Sequence, residues 1–373
     1  MNKVRVAILG AGGYVAEELI RLLLGHPYVE IHSLLSESGK EPEIDIGDIF
    51  PKFRKQIQQT VVNKADENLW SSDIAFVSKP NKQAMKWVPQ LLEHSIRVVD
   101  LCAIYRFRDA KTYEKTYNDI HTSPHLIKEA VYGLTEVYRG SIRNAKLVAN
   151  PGCYPVSVIL GCAPLLKQGL VNPTDIIVDS YSGISGAGKM PDNSNGITYS
   201  FVERDENIMA YSVLQHRHAP EMEQELGAVA KEDVTISFVP HLVPLRQGIM
   251  STIYLALKEG GKTTLSDLRD IYKNTYAKEP FVRVMNEGET PSLRSVERTN
   301  FCDIGLFYNE ESGRIVVMSA IDNLGKGAAG QAIQNMNVML GFEEMTSLST
   351  ANSEAGASKG ISWDSILAPT FSR

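Results

Sequence analysis

Short β-branched runs alternate with helix-period stretches along the first third of the chain. Val4-Arg5-Val6-Ala7-Ile8-Leu9 is a run of strand formers that stops at glycine, the pattern of a buried strand. Glu17 to Leu24 then sets Leu19, Ile20, Leu22, Leu23 and Leu24 on one broad helical face, with Gly25 at the C-cap position and Pro27 beyond it. Val29 to Leu35 reads as the next strand. Ile74 to Val77 and Val98 to Leu101 read as further parallel strands, and Lys82 to Glu93 as the crossover helix between them. After residue 150 the pattern changes. Val156 to Leu166 is a continuous apolar run of helical length, and Ile176 to Asp179, Val234 to Val239 and Arg314 to Ile321 read as strands. Met250 to Leu257 alternates polar and apolar positions like a half-buried antiparallel strand. Pro220 and an acidic first turn open a helix at Ala219, and small residues from Gly325 to about Met339 form another.

Between the first strand and helix lies Gly10-Ala11-Gly12-Gly13-Tyr14-Val15-Ala16. Strand, glycine turn, helix, strand is the first half of a dinucleotide-binding fold, in which glycines let the backbone approach a pyrophosphate at the helix N-terminus. Gly10 and Gly12 fit the first two positions of G-x-G-x-x-G, but Val15 holds the third. In the alternative spacing from Gly10 through Gly13, Ala16 takes the last place. At the end of the second strand, Ser36, Ser38 and Lys40 suit a ribose 2′-phosphate, whereas Glu37 suits a free 2′-hydroxyl. These residues carry both kinds of signal and leave NADP(H) and NAD(H) both open. Ser78-Lys79-Pro80-Asn81 ends the third strand, where open α/β sheets place ligands. The predicted fold class is α/β: a Rossmann-type parallel-sheet domain plus an α+β domain with an antiparallel sheet. The expected domains are 1–149 for the dinucleotide and 150–324 for catalysis and substrate. From Ser349 the composition shifts to Ser, Ala and Gly, so 349–373 is expected to be a flexible tail with a short apolar island, Ile361 to Leu367.

Charge and composition narrow the function. A net charge of −6 over 373 residues argues against a general nucleic-acid binder. Lys3 and Arg5 before an apolar, glycine-bearing run loosely mimic a targeting segment, but that run flows into a charged amphipathic helix and reads as structure. No stretch reaches the roughly 18 apolar residues of a membrane span. The four cysteines lie far apart with no CxxC or Cys/His cluster, which suggests a reducing, cytoplasmic setting and no metal site.

One cysteine stands out. Asn150-Pro151-Gly152 delivers Cys153 to the start of the apolar helix, where the dipole and unpaired N–H groups favour a thiolate. The turn alone leaves a buried structural cysteine equally open; Cys102, Cys162 and Cys302 read as packing residues. His216 and His218, just before the helix at Ala219, are candidate acid/base groups if paired with that thiol, and surface residues otherwise. Arg106, after the fourth strand, suits a carboxylate or phosphate, and Ser182 to Lys189 forms an anion-friendly glycine loop or a plain hairpin.

Together these stretches resemble the N-acetyl-gamma-glutamyl-phosphate reductase family of the wider semialdehyde dehydrogenase group. Val148 to Pro155, Ala130-Val131-Tyr132-Gly133-Leu134, Ser182 to Lys189, His216-Arg217-His218, Pro240 to Pro244, and Asp322-Asn323-Leu324 with Lys326 to Gln331 carry the resemblance, in the family's order, across residues 4 to about 342. The resemblance implies reduction of a small acyl phosphate by NADP(H), with NAD(H) not excluded, through a cysteine thioester, in arginine biosynthesis, by a homo-oligomer (dimer or tetramer) whose second domain also dimerises and whose C-terminal helix, about 325–345, returns to the dinucleotide domain. A related reductase of a carrier-bound aminoadipyl phosphate in lysine biosynthesis, or a cofactor-binding paralog without turnover, are the alternatives. The implied catalytic residues are Cys153 and, for the acid/base role, His216, with His218 as runner-up. Substrate contacts fall to Arg106, Asn150, His218 and Ser182. Cofactor contacts fall to Gly10, Gly12, Gly13, Tyr14, Val15, Ser36, Ser38, Pro80, Ser185, Gly186, Gly188, Lys189 and Asn323. Four departures from the family pattern bear on substrate identity: Ile104 for an acidic residue, Asn81 for a Pro-His pair, Thr135 for proline, and Gln247 for arginine. Arg246 lies one place earlier, which in a strand is the opposite face.

Overall fold

The computed structural model of the chain describes residues 3–36, 43–189 and 205–349. Two sheets organise them. The first has eight strands in the order β3-β4-β2-β1-β5-β6-β8-β7. These are β1 (Val4–Leu9), β2 (Val29–Leu35), β3 (Ile44–Asp45), β4 (Thr60–Val62), β5 (Ile74–Val77), β6 (Arg97–Asp100), β7 (Val131–Tyr132) and β8 (Leu147–Ala149). All pairings are parallel except β3 with β4. β1 pairs with β2 on one side and β5 on the other, so the chain changes direction across it, and the crevice at the strands' C-terminal ends is the expected ligand position. Helix α1 (Tyr14–Leu24) leaves β1 there and buries Leu19, Ile20, Leu22 and Leu23, while α2 (Asn81–Glu93) joins β5 to β6.

Gly10 is obligatory at that crossing. Its φ is +94°, and a Cβ on it would stand 2.0 Å from the Ser78 carbonyl oxygen. Only a residue without a side chain lets the end of β1 pass the end of β5.

The second sheet has seven strands in the order β10-β11-β9-β12-β15-β14-β13. These are β9 (Val171–Ser182), β10 (Met209–Ala210), β11 (Ile236–Leu242), β12 (Ile249–Leu257), β13 (Val282–Val284), β14 (Cys302–Asn309) and β15 (Arg314–Ile321). The expected antiparallel sheet is in fact mixed, because β11 runs parallel to β9 and β13 to β14. Both parallel connections pass through a helix, α5 (Ala219–Ala230) for the first pair and the short Leu293–Val296 turn of helix for the second.

Helix α4 (Cys153–Lys167) lies between the sheet and α5, with Tyr154 to Leu166 all buried. An apolar surface on every side explains that position. Each large aliphatic residue there contributes roughly 1.5–3 kcal/mol by leaving water. One sheet face packs on α4; the other carries half-exposed Met250, Thr252, Tyr254, Val316 and Met318 beside exposed Ile177.

The chain then returns to its beginning. A π-turn (Gly325–Ala329) precedes α7 (Gly330–Leu340), where a single helix from Gly325 is expected from sequence. Ala332, Ile333 and Met336 of α7 pack with Val6, Ile8, Leu19 and Ile20 of the first sheet and α1. Glu136 on α3 (Thr135–Ile142), just before β8, reaches toward the same turn. The elements without a counterpart in the sequence expectation include β14 and α6 (Leu265–Tyr276), whose N-terminus is closed by reciprocal bonds between Thr264 and Asp267.

Candidate active site

The thiol is presented by a tightly held turn. β8 ends at Ala149, the chain bends through Asn150-Pro151-Gly152, and α4 begins on Cys153 itself. The Asn150 N–H donates to the Asp100 carbonyl at 2.7 Å. Its side chain donates to the Ala328 carbonyl at 3.2 Å and accepts from Asn335 of α7 at 3.0 Å. The Gly152 N–H donates to Glu221 at 2.8 Å. On the far side, a Cβ on Gly327 would stand 2.9 Å from Cys153 Cβ, so the π-turn backbone is pressed against Cys153.

Arg106 and Glu221 form the floor. Arg106 donates to the Asn150 carbonyl (2.8 Å), the Leu101 carbonyl (3.0 Å) and Glu221 (3.3 Å), and both residues are buried. Glu221 also accepts from Tyr132 Oη at 2.8 Å. One carboxylate therefore ties together a guanidinium, a phenol and the N–H before the nucleophile. Four residues on, Glu225 pairs with Arg108 at 3.2 Å and accepts from Tyr138.

The two histidines occupy different places. His216 sits edge-on to Tyr154, Tyr211 and Phe238, and its Nδ1 accepts the His218 N–H at 3.1 Å. His218 occupies the N-cap position of α5 and lies over the Asn150–Cys153 turn: a Cβ on Gly152 would stand 2.6 Å from its Nε2. Its Nδ1 is buried and has no hydrogen-bond partner. Burial, with Arg217 nearby, lowers His216 to about 3. Burial, then His216, Arg106 and Arg217, pushes His218 well below its ordinary value. Burial therefore holds both rings neutral near pH 7.

The helix start was expected to favour thiolate. The Tyr154 N–H, Arg106 and Arg217 do pull the Cys153 pKa down, but burial outweighs them and the thiol is pushed up overall. The free site holds a neutral thiol beside neutral imidazoles, so attack by this sulfur would need its proton removed first.

A cleft of about 210 Å³ joins this thiol to the glycine turn. Gly13, Tyr14 and Val15 form one wall, Asn150, Pro151 and Cys153 another, and Ser185, Gly186, Gly188, Lys189 and Asn323 a third. These residues fit a dinucleotide. A Cβ on Gly12 or Gly13 would meet nothing within 4 Å, so the turn is open to a close-lying group. No side chain caps the N-terminus of α1, which leaves its first N–H groups for an anion. Asn323 is held rigid, accepting from the Gly248 N–H (2.6 Å) and donating to Ser185 (3.0 Å). Lys189 lies over the Phe50 ring at 4.9 Å, bringing the glycine loop onto the first domain.

Other expected residues fall elsewhere. Gly10 separates two strands, Ser36 bonds β4 through its N–H, and Pro80 is exposed at the start of α2; none of them lines the cleft. Ser38 lies outside the described residues. Ser182 is buried behind the loop and bonds the Gly183 carbonyl. Ser78, at the strand end where a ligand was expected, lines the cleft; the expectation missed Leu324, Gly327 and Ala328, which also line it, and Glu221 beneath it. For Glu221 a signal existed: it is the acid of the first turn of α5, three residues after His218.

The departures from the family pattern resolve physically. Ile104 is fully buried in an apolar cluster with Met85, Trp87 and Leu126, away from the cleft lining. Asn81 opens α2 and accepts the Ala103 N–H at 3.4 Å. Thr135 donates to Asn335 and accepts from Gln331. Arg246 and Gln247 are in a turn, not a strand, so the opposite-face argument does not apply. Both line a groove of about 630 Å³ that continues from the cleft past Tyr14 and Leu324. Gln247 donates to Asp322 (2.6 Å) and accepts from Arg246 (3.2 Å). All four cysteines are free, with Cys102, Cys162 and Cys302 buried. Among the described residues no group of His, Cys, Asp and Glu is arranged to hold a metal, and no helix is long and apolar enough to cross a membrane.

A family model described as the semialdehyde dehydrogenase NAD binding domain matches residues 5–145, and one described as the semialdehyde dehydrogenase dimerisation domain matches residues 153–323. Solved structures share the fold at low identity. Aspartate semialdehyde dehydrogenase II of Vibrio cholerae, complexed with ASA, aligns with a TM-score of 0.67 at 17% identity over 91% of this chain and 99% of that one. The Candida albicans aspartate semialdehyde dehydrogenase with NADP aligns with a TM-score of 0.67 at 16% identity over the same shares. The class is therefore that of the semialdehyde dehydrogenases, a dinucleotide-binding domain joined to a dimerisation domain. Two relatives narrow it: the N-acetyl-gamma-glutamyl-phosphate reductase of Geobacter sulfurreducens is 48% identical over 91% of this chain and 96% of its own length. That of Acetivibrio thermocellus is 42% identical over 91% and 96%. The chain belongs to the N-acetyl-gamma-glutamyl-phosphate reductase family.

Proposed function

We propose that this enzyme reduces N-acetyl-gamma-glutamyl phosphate to N-acetylglutamate semialdehyde and phosphate, with NADPH, through a thioester on Cys153. The observation that carries the reading is the single cleft shared by the glycine turn of α1 and the Cys153 thiol. Cys153 sulfur attacks the acyl carbon; the S–C bond forms and the bond to phosphate breaks. His218, with its Nε2 over Gly152, takes the thiol proton. The sequence expectation gave that role to His216. His216 instead braces His218 by accepting its N–H from within an aromatic cage. Gly13, Tyr14 and Val15 would hold the cofactor's pyrophosphate, and Ser185, Lys189 and Asn323 would border its nicotinamide. The bound nicotinamide supplies the hydride that takes the acyl carbon to the aldehyde level. As the C–S bond then breaks, His218 returns its proton to sulfur. Arg106, fixed by Glu221, presents positive charge to the substrate's anionic end.

The half-exposed apolar face of the second sheet receives a second copy of the chain. Ile177, Tyr254 and Val316 are cross-strand neighbours there and form a continuous patch. Substituting Tyr254→Arg is expected to shift the protein toward monomer in sedimentation; an unchanged oligomer contradicts this placement.

The direct test is a steady-state assay with N-acetylglutamate semialdehyde, phosphate and NADP. Phosphate-dependent NADPH formation that vanishes in Cys153→Ser, while cofactor titration is unchanged, supports the reading. Cofactor binding without turnover on any semialdehyde refutes it.

A further inference from the structure

A lysine that touches no part of the cleft is the second feature that holds the nucleophile in place. Lys326 is fully buried in the middle of the π-turn. Its Nζ donates to Glu136 of α3 at 2.6 Å and to Gln334 of α7 at 2.7 Å, with the Phe281 ring centroid 5.7 Å away. Glu136 is equally buried and also accepts from Gln334 at 3.0 Å. The pair thus spans from an element of the first domain to the segment that follows β15.

Buried ion pairs are poor stabilisers, since desolvation offsets the attraction unless every lone pair is satisfied. Here the second carboxylate oxygen of Glu136 is buried without a partner. A pair of apolar residues would fill this space at less cost, so stability alone does not account for it.

Position does. The π-turn is fixed at its start by Asp322, whose carboxylate accepts the N–H groups of Leu324 (2.8 Å) and Gly325 (2.9 Å). Lys326 fixes its middle. The next two residues grip the nucleophile turn: Gly327 abuts Cys153, and the Ala328 carbonyl accepts from Asn150. A π-bulge widens the helix by one residue per turn, and such bulges recur at functional sites.

We infer that Lys326 and Glu136 are positioning residues for the reaction, acting as a buried ionic pin that sets the π-turn against Cys153 and so fixes where the sulfur lies in the cleft. This rests on Cys153 being the nucleophile.

The test uses the full-length enzyme and Lys326→Met. The expected result is a folded protein whose kcat falls at least tenfold while the KM for NADPH stays within twofold. Carbamidomethylation of Cys153 by iodoacetamide should also slow across the pH range, relative to wild type. A folded variant with wild-type kcat and wild-type alkylation overturns the inference. So does activity that falls only in proportion to the folded fraction, as a purely structural role would give. Should Lys326→Met fail to fold, Glu136→Gln, of the same shape and without the charge, is judged by the same readouts; loss of folding there too assigns the pair to the scaffold and overturns the inference. A control separates the two readings. If labelling Cys153 leaves wild-type activity intact, the nucleophile assignment fails, and the pin with it.

Discussion

Gly152 and His218 are in direct contact, and the contact is the reason position 152 is glycine. A methyl group on residue 152 would lie 2.6 Å from His218 Nε2 and 3.0 Å from an Arg106 nitrogen. The residue before the nucleophile thus leaves room for an imidazole over the nucleophile turn. Substitution Gly152→Ala is expected to displace the ring and lower kcat by roughly 10²-fold or more, in line with the sensitivity of catalysis to misplacements of about 1 Å. Steady-state kinetics on the folded variant check this; an unchanged kcat would mean that His218 has no part in the reaction.

The two histidines should separate kinetically. His218→Asn is expected to cost about 10²–10⁴ in kcat, the usual range for a lost acid/base group. His216→Asn is expected to cost about tenfold or less, because it removes a brace and not the proton carrier. The reverse order in paired assays would return the acid/base role to His216.

Glu221→Gln leaves Arg106 buried without its counter-charge. Breaking such a pair typically costs about 3–5 kcal/mol, so the variant should melt well below wild type and lose activity as the nucleophile turn loosens. Thermal unfolding checks the first part. A melting temperature equal to wild type would show that the carboxylate is not needed to hold the guanidinium.

Asp100 gives the fold a pH dependence. It is fully buried, its second oxygen has no partner, and burial raises its pKa from 3.8 to about 6. A carboxyl raised in the folded state favours folding below the unfolded value and loses that advantage as pH rises through the folded one. The shift corresponds to on the order of 3 kcal/mol. Asp100→Asn, which titrates nowhere in this range, should therefore gain stability relative to wild type between pH 4 and pH 7. Denaturant unfolding at both pH values reads the difference; a constant offset would contradict it.

Much of the first domain was legible because its signals are local. β1, the glycine turn, α1 and β2 follow one another within 35 residues, and each carries its own periodicity or breaker. The Asn150-Pro151-Gly152-Cys153 turn was legible for the same reason. Glu221 was not, because its meaning depends on Arg106, 115 residues earlier, and on Tyr132. The elevated thiol was also hidden: a helix start is visible in sequence, but the burial that outweighs it is a property of packing. The strand assumed at Arg246 failed because Gly248, at φ +112°, lies in a turn that ends just before β12. Ile104 looked like a change at the site and is a core residue instead.

The central claim is that Cys153 carries the acyl group. It is tested most directly by mixing enzyme with N-acetylglutamate semialdehyde and NADP without phosphate, then following NADPH on the stopped-flow timescale and mapping the quenched protein by mass spectrometry. The account predicts a burst of NADPH stoichiometric with active sites and the acyl group on the peptide containing Cys153, discharged when phosphate is added. No burst, or an acyl group on any other residue, would contradict it.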